Sequence, residues 1–587
     1  MSKEKTIKLK TTEHSFTTFD NSELFYRAWH PDGEIKQQAL VLFHGGHEHS
    51  GRFQNLVERL ALKDVSIFAW DARGHGRSPG RRGYAKHYMD VVRDVDAFIH
   101  HITDSYNIPR KEMILLGHSV GSVTVATWIH DFAPGIKAAV LGSPAFDVKL
   151  YVPFAYPGLR LWQRLKADAF VTSYVKPAML THDKEEAEAR AKDELISPNI
   201  AVSVLTSLYD TAKRVITDAH TIKTPLLVQS AGKDWVVKRG AQEKFIENLG
   251  SHNKELCVYP GFFHEIYHEL ERTRPIARAK AFIEECFAGN RDKTDIHEEG
   301  ENHKIYQTLQ QELPSTNWKK YYYAATAFAL KHIGGTVSKG MQTGWKHGFD
   351  SGSMLNYVYA NQANGLTPVG KLIDRMYLDS VGWAGIRQRG ENLQLALIES
   401  IAEQKKSNKT VHIMDVAAGP GRYVLNVLEQ LNDEKLSAVC RDLDESGLAE
   451  GRELAKTRGL SDAVTYLSGD AFDPDSIRDT AEQPQIIIVS GLYELFADNR
   501  MVLKSLQGIY DRLPDNGCLI VTNQPWHPQL ELIARTLVNR DQKPWVMRPR
   551  PQSEMNHLVE SVGFKQQKMW IDDAGIFTVS TAYKSGS

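Results

Sequence analysis

From about residue 10 to 290, short β-branched and aliphatic runs alternate with amphipathic stretches, as in QALVLFH, VSIFAWD, MILLGHS, KAAVLGS and PLLVQSAG. This rhythm predicts a parallel sheet covered by helices. It breaks between roughly 146 and 220, where aromatic, proline and charged residues mix; the segment reads as a helical cap over a site. RDKTDIHEEGENHK follows with almost no apolar residue, too few to bury surface and order itself, and is predicted to be a linker. From about 410 the alternation resumes in VHIMDVA, SAVCRDLD, VTYLSGDA, QIIIVSG, CLIVTNQ, FKQQKMWI and IFTVSTAYK, candidate strands that need a second sheet. The expected plan is a first domain at 10–288 with its cap at about 146–220, a linker at 289–305, a helical extension at 306–400, and a second α/β domain at 401–587.

A chain of 587 residues exceeds what one core organises, which agrees with two domains. Its 42% apolar and 24% charged residues are the balance of a globular protein. With 71 Lys+Arg against 72 Asp+Glu, no global field argues for a polyanion, so no nucleic acid is expected as partner. The lysine-bearing start lacks an apolar core segment and does not read as a secretory signal, and no stretch approaches a membrane span. Cys257, Cys286, Cys440 and Cys518 have neither CxxC spacing nor clustering, which suits free thiols in a cytoplasmic protein. Trp318 to Gly348 holds five lysines and no acid, interleaved with Tyr321, Tyr322, Tyr323, Phe328 and Trp345. Such a stretch suits peripheral contact with the inner face of a membrane, and equally a buried helix with a solvated lysine face.

LLGHSVGS places Gly117-His118-Ser119-Val120-Gly121 after an apolar strand and before the helical run SVTVATWIH. A strand-to-helix hairpin this sharp presents Ser119 Oγ at a helix N-terminus. Serine needs a base and an orienting acid, which in this arrangement follow in the order acid, then histidine. Asp234, in SAGKDWVV, and His264, in YPGFFHE, each lie just past a strand in that order. The oxyanion hole is expected from the backbone N–H of Val120 and of Gly46 in VLFHGG. FHGGHEHSGRF, WDARGHGRSPG, GHSVG and GFFHE resemble the monoglyceride lipase and lysophospholipase group of α/β-hydrolases over about residues 12 to 288. His47 departs from that group, which commonly has a small residue there. The resemblance implies a cap-covered site for esters with one long acyl chain, and the apolar segment LYVPFAYPGLRLW suits it. His264 to His268 also spells HExxH, but the match begins in a turn ending a strand rather than inside a helix, so no metal is expected. His44, His47 and His49 read as loop-shaping residues.

In the second half, IMDVAAGPGR follows a strand and opens the run YVLNVLEQL, so Gly419 and Gly421 let backbone approach a ligand at a helix N-terminus. Val424 occupies the third glycine position of the NAD motif, and Asp415 sits in the strand. Asp442 or Asp444, about twenty residues on, suits ribose hydroxyls; Asp470 can meet an adenine amine, and Ala471 and Phe472 can line its ring. DVAAGPG, RDLD, GDAF and VSGLYE resemble class I S-adenosylmethionine-dependent methyltransferases over residues 385 to 584, although Ala417 stands where many members have glycine. The resemblance implies S-adenosylmethionine as cofactor, held by Asp415, Ala417, Gly419, Gly421, Asp442, Asp444, Asp470, Ala471, Phe472 and Ser490. It also implies a seven-stranded sheet with an antiparallel last hairpin. Tyr493 and Glu494 are the candidates to face the methyl acceptor, whose identity is unknown, and could equally pack beside the cofactor. The expected function is therefore a bifunctional serine ester hydrolase and methyltransferase acting on lipid-like small molecules. Two alternatives are a hydrolase regulated by a non-catalytic S-adenosylmethionine-binding module, and a membrane-docked interaction protein with one active hydrolase.

Overall fold

The computed structural model describes residues 9–31, 37–152, 154–291, 301–479 and 481–585. The chain divides into two compact units, residues 1–295 and 296–587. The predicted linker falls mostly on 292–300, outside the described residues.

The first unit is built on strands β1 (Leu9–Thr17), β2 (Glu23–Pro31), β3 (Ala39–Phe43), β4 (Ser66–Trp70), β5 (Met113–His118), β6 (Ala138–Gly142), β9 (Leu226–Ala231) and β10 (Lys254–Tyr259), with β7 (Phe170–Thr172) and β8 (Asn199–Ala201) forming a separate hairpin. The main sheet runs β1-β2-β4-β3-β5-β6-β9-β10 and is parallel from β4 onward. Every residue of β3, β4, β5 and β6 is buried, because helices cover both faces. That is why these strands read as unbroken apolar runs. The antiparallel β1/β2 pair, absent from the sequence expectation, has a single buried position in β1, Phe16, and so that strand carries little hydrophobic signal. Between β6 and β9 the chain leaves the sheet for helices Ala155–Leu165, Lys184–Lys192 and Val202–Thr217 and the β7/β8 hairpin.

The second unit contains β11 (Val411–Asp415), β12 (Leu436–Asp442), β13 (Val464–Ser468), β14 (Ile486–Val489), β15 (Cys518–Asn523), β16 (Phe564–Ile571) and β17 (Thr578–Lys584), ordered β13-β12-β11-β14-β15-β17-β16. Only β17 runs antiparallel to its neighbours. This is a doubly wound sheet whose strand order reverses between β11 and β14, the crevice where such sheets bind ligands. Ahead of it, among the described residues, lie seven α-helices from Glu301 to Gln404, with a π-helical turn at Leu330–Gly334. Phe349, Met354, Val358, Leu378, Trp383 and Ile386 from this extension share one core with Ile576 and Phe577 beside β17, so it is part of the domain rather than an appendage.

All four cysteines are unpaired thiols. Among the described residues no helix is long and apolar enough to cross a membrane. The Trp318–Gly348 stretch is split: Trp318, Tyr321, Tyr322 and Phe328 are exposed, whereas Trp345 turns inward against Phe349. Two of its lysines are paired, Lys319 with Glu531 and Lys320 with Glu312.

Candidate active sites

In the first unit β5 ends at His118 and a helix spans Val120–Phe132, leaving Ser119 alone at the corner with φ 52° and ψ −114°. A non-glycine residue rarely adopts such a conformation, at a cost of about 1–3 kcal/mol, and the surroundings must hold it there. Ser119 N–H donates to Gly142 O at 2.8 Å, and Ala145 N–H to Ser119 O at 3.1 Å. Gly121 is obligatory for packing, since a Cβ there would lie 2.2 Å from Phe43 O.

The corner aims Ser119 Oγ at His264 Nε2, 2.7 Å away, and His264 Nδ1 meets Asp234 Oδ2 at 2.8 Å. All three are buried. Because Nδ1 faces a carboxylate, the ring proton resides on Nδ1 and Nε2 is free to accept from Ser119. Asp234 Oδ1 accepts the N–H groups of Val236 and Val237 at 2.7 and 2.9 Å. Burial alone would raise the Asp234 pKa; the attraction of His264 and these N–H groups outweighs it, and the carboxyl is held below its usual value. Three segments far apart in sequence thus converge on one constellation.

Gly46 and Val120 line the same cavity as Ser119 and His264, and a Cβ on Gly46 would meet Val120 Cγ2 at 3.2 Å. The Val120 N–H opens a helix, where the first N–H groups lack intrahelical partners. His47 lines the cavity at φ 65°, and burial pushes its pKa down to about 4, so it is neutral. The cavity measures about 690 Å³. Leu159, Trp162 and Ile200 of the cap supply an apolar wall, and Glu48, Arg190 and Glu265 a charged one.

That charged wall was missed in the sequence. Arg190, on the helix Lys184–Lys192, pairs with Glu48 of the loop after β3 and, at 2.7 Å, with Glu265 beside His264. Each member lies in a short stretch mixing both charge signs, which by itself reads as a solvated surface; the only signal was that two of them adjoin motif residues. Arg190→Ala leaves two buried carboxylates without their shared cation. It is expected to destabilise the first unit by about 3–5 kcal/mol, read as an earlier loss of esterase activity along a urea titration; an unchanged midpoint would show that the pairing is not structural.

The HExxH histidines go to different partners: His264 to Ser119 and Asp234, His268 to Glu186 at 3.2 Å. Residues 266–268 form a 3₁₀ turn rather than an α-helix. His44 is fixed between Gly45 O and Ala72 N–H, and His49 between Gly51 N–H and Asp193.

In the second unit, β11 ends at Asp415, and the loop after it carries Ala417, Gly419 and Gly421 into a helix at Arg422–Leu431. Gly419 and Gly421 have φ of 52° and 65°. The Asp415 carboxyl accepts from Ala417 N–H and the Tyr423 hydroxyl, yet burial pushes its pKa up to about 7. Asp442, at the end of β12, accepts the Gly419 N–H at 2.8 Å, which ties the glycine loop to the neighbouring strand. Asp444 instead caps the helix Glu445–Thr457 through Ser446 N–H. Past β13, Asp470 Oδ1 accepts Phe472 N–H at 2.8 Å, Ala471 is buried, and Phe472 packs edge-on against Phe496. Ser490 begins the loop after β14. All these groups sit at the C-terminal edge of the sheet.

Tyr493 and Glu494 diverge. Tyr493 is buried in the core, its hydroxyl donating to Ser505 Oγ at 2.8 Å. Glu494 pairs with Arg389 at 2.8 Å and lines a separate cavity of about 230 Å³. Among its other walls, Trp383, His527 and Trp545 come from the helical extension and from loops past β15, where no sequence motif marked them.

Strand order and elbow define the first unit as an α/β-hydrolase, and the second has the Rossmann-like order of class I methyltransferases. The chain belongs to the family described as "Putative methyltransferase", whose model matches residues 279–584. The model described as "Serine aminopeptidase, S33" matches residues 34–271. "Uncharacterized protein YnbC" of Escherichia coli K12 is 44% identical over 577 residues, covering 97% of this chain and 98% of that protein. "Phospholipase YtpA" of Bacillus subtilis is 27% identical over 263 residues, 44% of this chain and 98% of its own length. "Monoglyceride lipase" of Mus musculus is 28% identical over 264 residues, 43% of this chain and 82% of its own. A crystal structure of the Paleococcus ferrophilus monoacylglycerol lipase covers 48% of this chain and 99% of that one, at 23% identity and a TM-score of 0.40.

Proposed function

We propose that the chain is a bifunctional enzyme: its first unit hydrolyses lipid-like esters carrying one acyl chain, and its second transfers a methyl group from S-adenosylmethionine. The observation that carries the first activity is the continuous Ser119–His264–Asp234 hydrogen-bond chain within a capped cavity. His264 Nε2 takes the hydroxyl proton as Ser119 Oγ attacks the ester carbonyl, while Asp234 stabilises the imidazolium. The Val120 and Gly46 N–H groups receive the oxyanion. Collapse returns the proton from His264 to the departing alcohol, and water then releases the acid by the same steps. The apolar cap wall suits an acyl chain, and the Glu48–Arg190–Glu265 wall suits a polar alcohol. Relatives named as a monoglyceride lipase and a phospholipase support that substrate class.

For the second activity, the residues present fit S-adenosylmethionine. The glycine loop leaves the space in front of Gly419 open, and Asp442 and Asp470 each keep acceptor capacity beyond their backbone bonds. Asp442 would hold the ribose, Asp470 the adenine amine and Phe472 the ring; the cofactor supplies an already activated methyl group, so the protein's task is positioning. The exposed Trp318, Tyr321, Tyr322 and Phe328 are a candidate bilayer contact.

A turnover panel of monooleoylglycerol, oleoyl-lysophosphatidylcholine and trioleoylglycerol tests the ester class. The single-chain esters are expected to turn over at least about tenfold faster than the triester, since a missing complement of contacts worth 1.4 kcal/mol gives that ratio. Preference for the triester would overturn the reading.

A further inference from the structure

The second unit's cavity lies at the C-terminal ends of β14 and β15: Gly491 and Glu494 follow β14, Gln524 and His527 follow β15. It therefore shares an edge of the sheet with the glycine loop. Its walls are largely apolar, leucine, isoleucine and methionine side chains together with aromatic rings, and two of those rings, Trp383 and Trp545, lie nearly parallel, with centroids 6.2 Å apart and an interplanar angle of 24°.

Among these walls stand polar atoms that the protein leaves unmatched. Glu494 Oε1 accepts from Arg389, but Glu494 Oε2 is buried without a partner, and so is Trp545 Nε1–H. His527 Nδ1 accepts the Gln529 N–H at 3.0 Å, which fixes the neutral ring with its proton on Nε2. Burial drives the His527 pKa down to about 4, so that neutral form prevails near pH 7. Nε2 points toward Gly382, another wall residue, where an added Cβ would come within 2.8 Å. Buried polar atoms in native proteins are normally satisfied, and the residues that carry these all line one cavity.

The charges set the ligand's character. Arg389 balances Glu494, Arg540 pairs with Asp350 at 3.3 Å, and His527 is neutral, so a charged ligand would enter a low-polarity cavity with no counter-ion of its own. An ammonium would face Arg389, and a carboxylate would face Glu494. A hydroxyl fits both kinds of unmatched atom, since one oxygen donates and accepts.

We propose that this cavity takes an uncharged, largely aromatic alcohol of the phenol class as methyl acceptor, its hydroxyl donating to Glu494 Oε2 and accepting from His527 Nε2–H or Trp545 Nε1–H. The inference rests on the methyltransferase reading. In the transfer, the hydroxyl proton passes to Glu494 Oε2 and the oxygen bonds to the methyl carbon. The carbon–sulfur bond breaks with its electron pair kept by sulfur, leaving a neutral thioether and an aryl methyl ether.

Calorimetry of the full-length chain with 2-naphthol, 2-methoxynaphthalene and 2-naphthoate tests this without turnover. 2-Naphthol is expected to bind at least tenfold tighter than the ether, which cannot donate, and the anion. Ile386→Trp, which fills the cavity, should weaken 2-naphthol at least tenfold; the conservative Trp545→Phe, which keeps the ring and removes the N–H, should weaken it several-fold. Equal affinities for the three compounds, or 2-naphthol binding indifferent to both variants, would overturn the proposal. A parallel titration with S-adenosylhomocysteine separates the two readings. Cofactor binding without naphthyl discrimination defeats the acceptor class alone, whereas naphthol selectivity without cofactor binding supports the cavity's ligand class and defeats methyl transfer.

Discussion

Ser119→Ala is expected to lower ester hydrolysis by at least about 10⁴-fold and to abolish labelling by a fluorophosphonate, with S-adenosylmethionine binding unchanged. The size follows from the geometry. Ser119 Oγ lies at 2.7 Å from His264 Nε2, and without it the imidazole loses the nucleophile it activates. What remains is the oxyanion site and the cavity, which by themselves retain only a small part of a triad's acceleration. Folding should be nearly unaffected, because alanine keeps the Cβ and loses one hydrogen bond worth about 1 kcal/mol. Asp234→Asn should cost a comparable factor of about 10⁴ by another route. An amide can keep accepting the Val236 and Val237 N–H groups through its oxygen, but it then presents NH₂ to His264 Nδ1 and forces the wrong tautomer. Labelling that persists in the alanine variant would remove Ser119 as the nucleophile.

The elements legible in the sequence were those whose chemistry is local. β3, β4, β5 and β6 are short apolar runs because both faces are covered, and GHSVG announces a corner because its glycines and serine are contiguous. Of the seven C-terminal strands, β14 and β15 are buried throughout and read as apolar runs for the same reason, whereas β13 and β16 are partly exposed; the seven-stranded sheet with an antiparallel last hairpin was implied by the family resemblance. Features made by long-range convergence were not legible. Glu48 and Arg190 are 142 residues apart, and nothing at either position marks the pair. The cavity around Glu494 joins Trp383, on a helix before the sheet, to Trp545, beyond β15, and aromatic residues in such places read as core. Even Tyr493 and Glu494, adjacent in a 3₁₀ turn, part company, because neighbouring residues there point in different directions and only one can face the core.

The second large effect is expected at the glycine loop, and it distinguishes two glycines that the sequence treats alike. Gly421→Trp looks like a direct block of the methionine moiety. The structure shows otherwise: a Cβ at Gly421 would lie 2.8 Å from Cys440 Sγ in β12, so that substitution collides with the sheet and tests folding instead. A Cβ at Gly419 meets nothing within 4 Å, so an indole there projects into open space before the loop. Its own price is the left-handed φ of 52°, about 1–2 kcal/mol for a residue with a Cβ. Gly419→Trp is therefore expected to leave the second unit folded and to reduce S-adenosylmethionine affinity by more than about a hundredfold, or 2.8 kcal/mol. Asp442→Ala should act more mildly. It removes the acceptor that anchors Gly419 N–H and the ribose contact, charge-assisted bonds of about 1.5–3 kcal/mol, for a loss of roughly ten- to a hundredfold. Because the chain forms two compact units with separate cores, hydrolysis of a soluble short-chain ester should change by less than about twofold in both variants. Calorimetry beside an esterase assay reads both quantities. Unchanged cofactor affinity in folded Gly419→Trp would remove this loop as the cofactor site, and a parallel loss of esterase activity would mean that the second unit regulates the first.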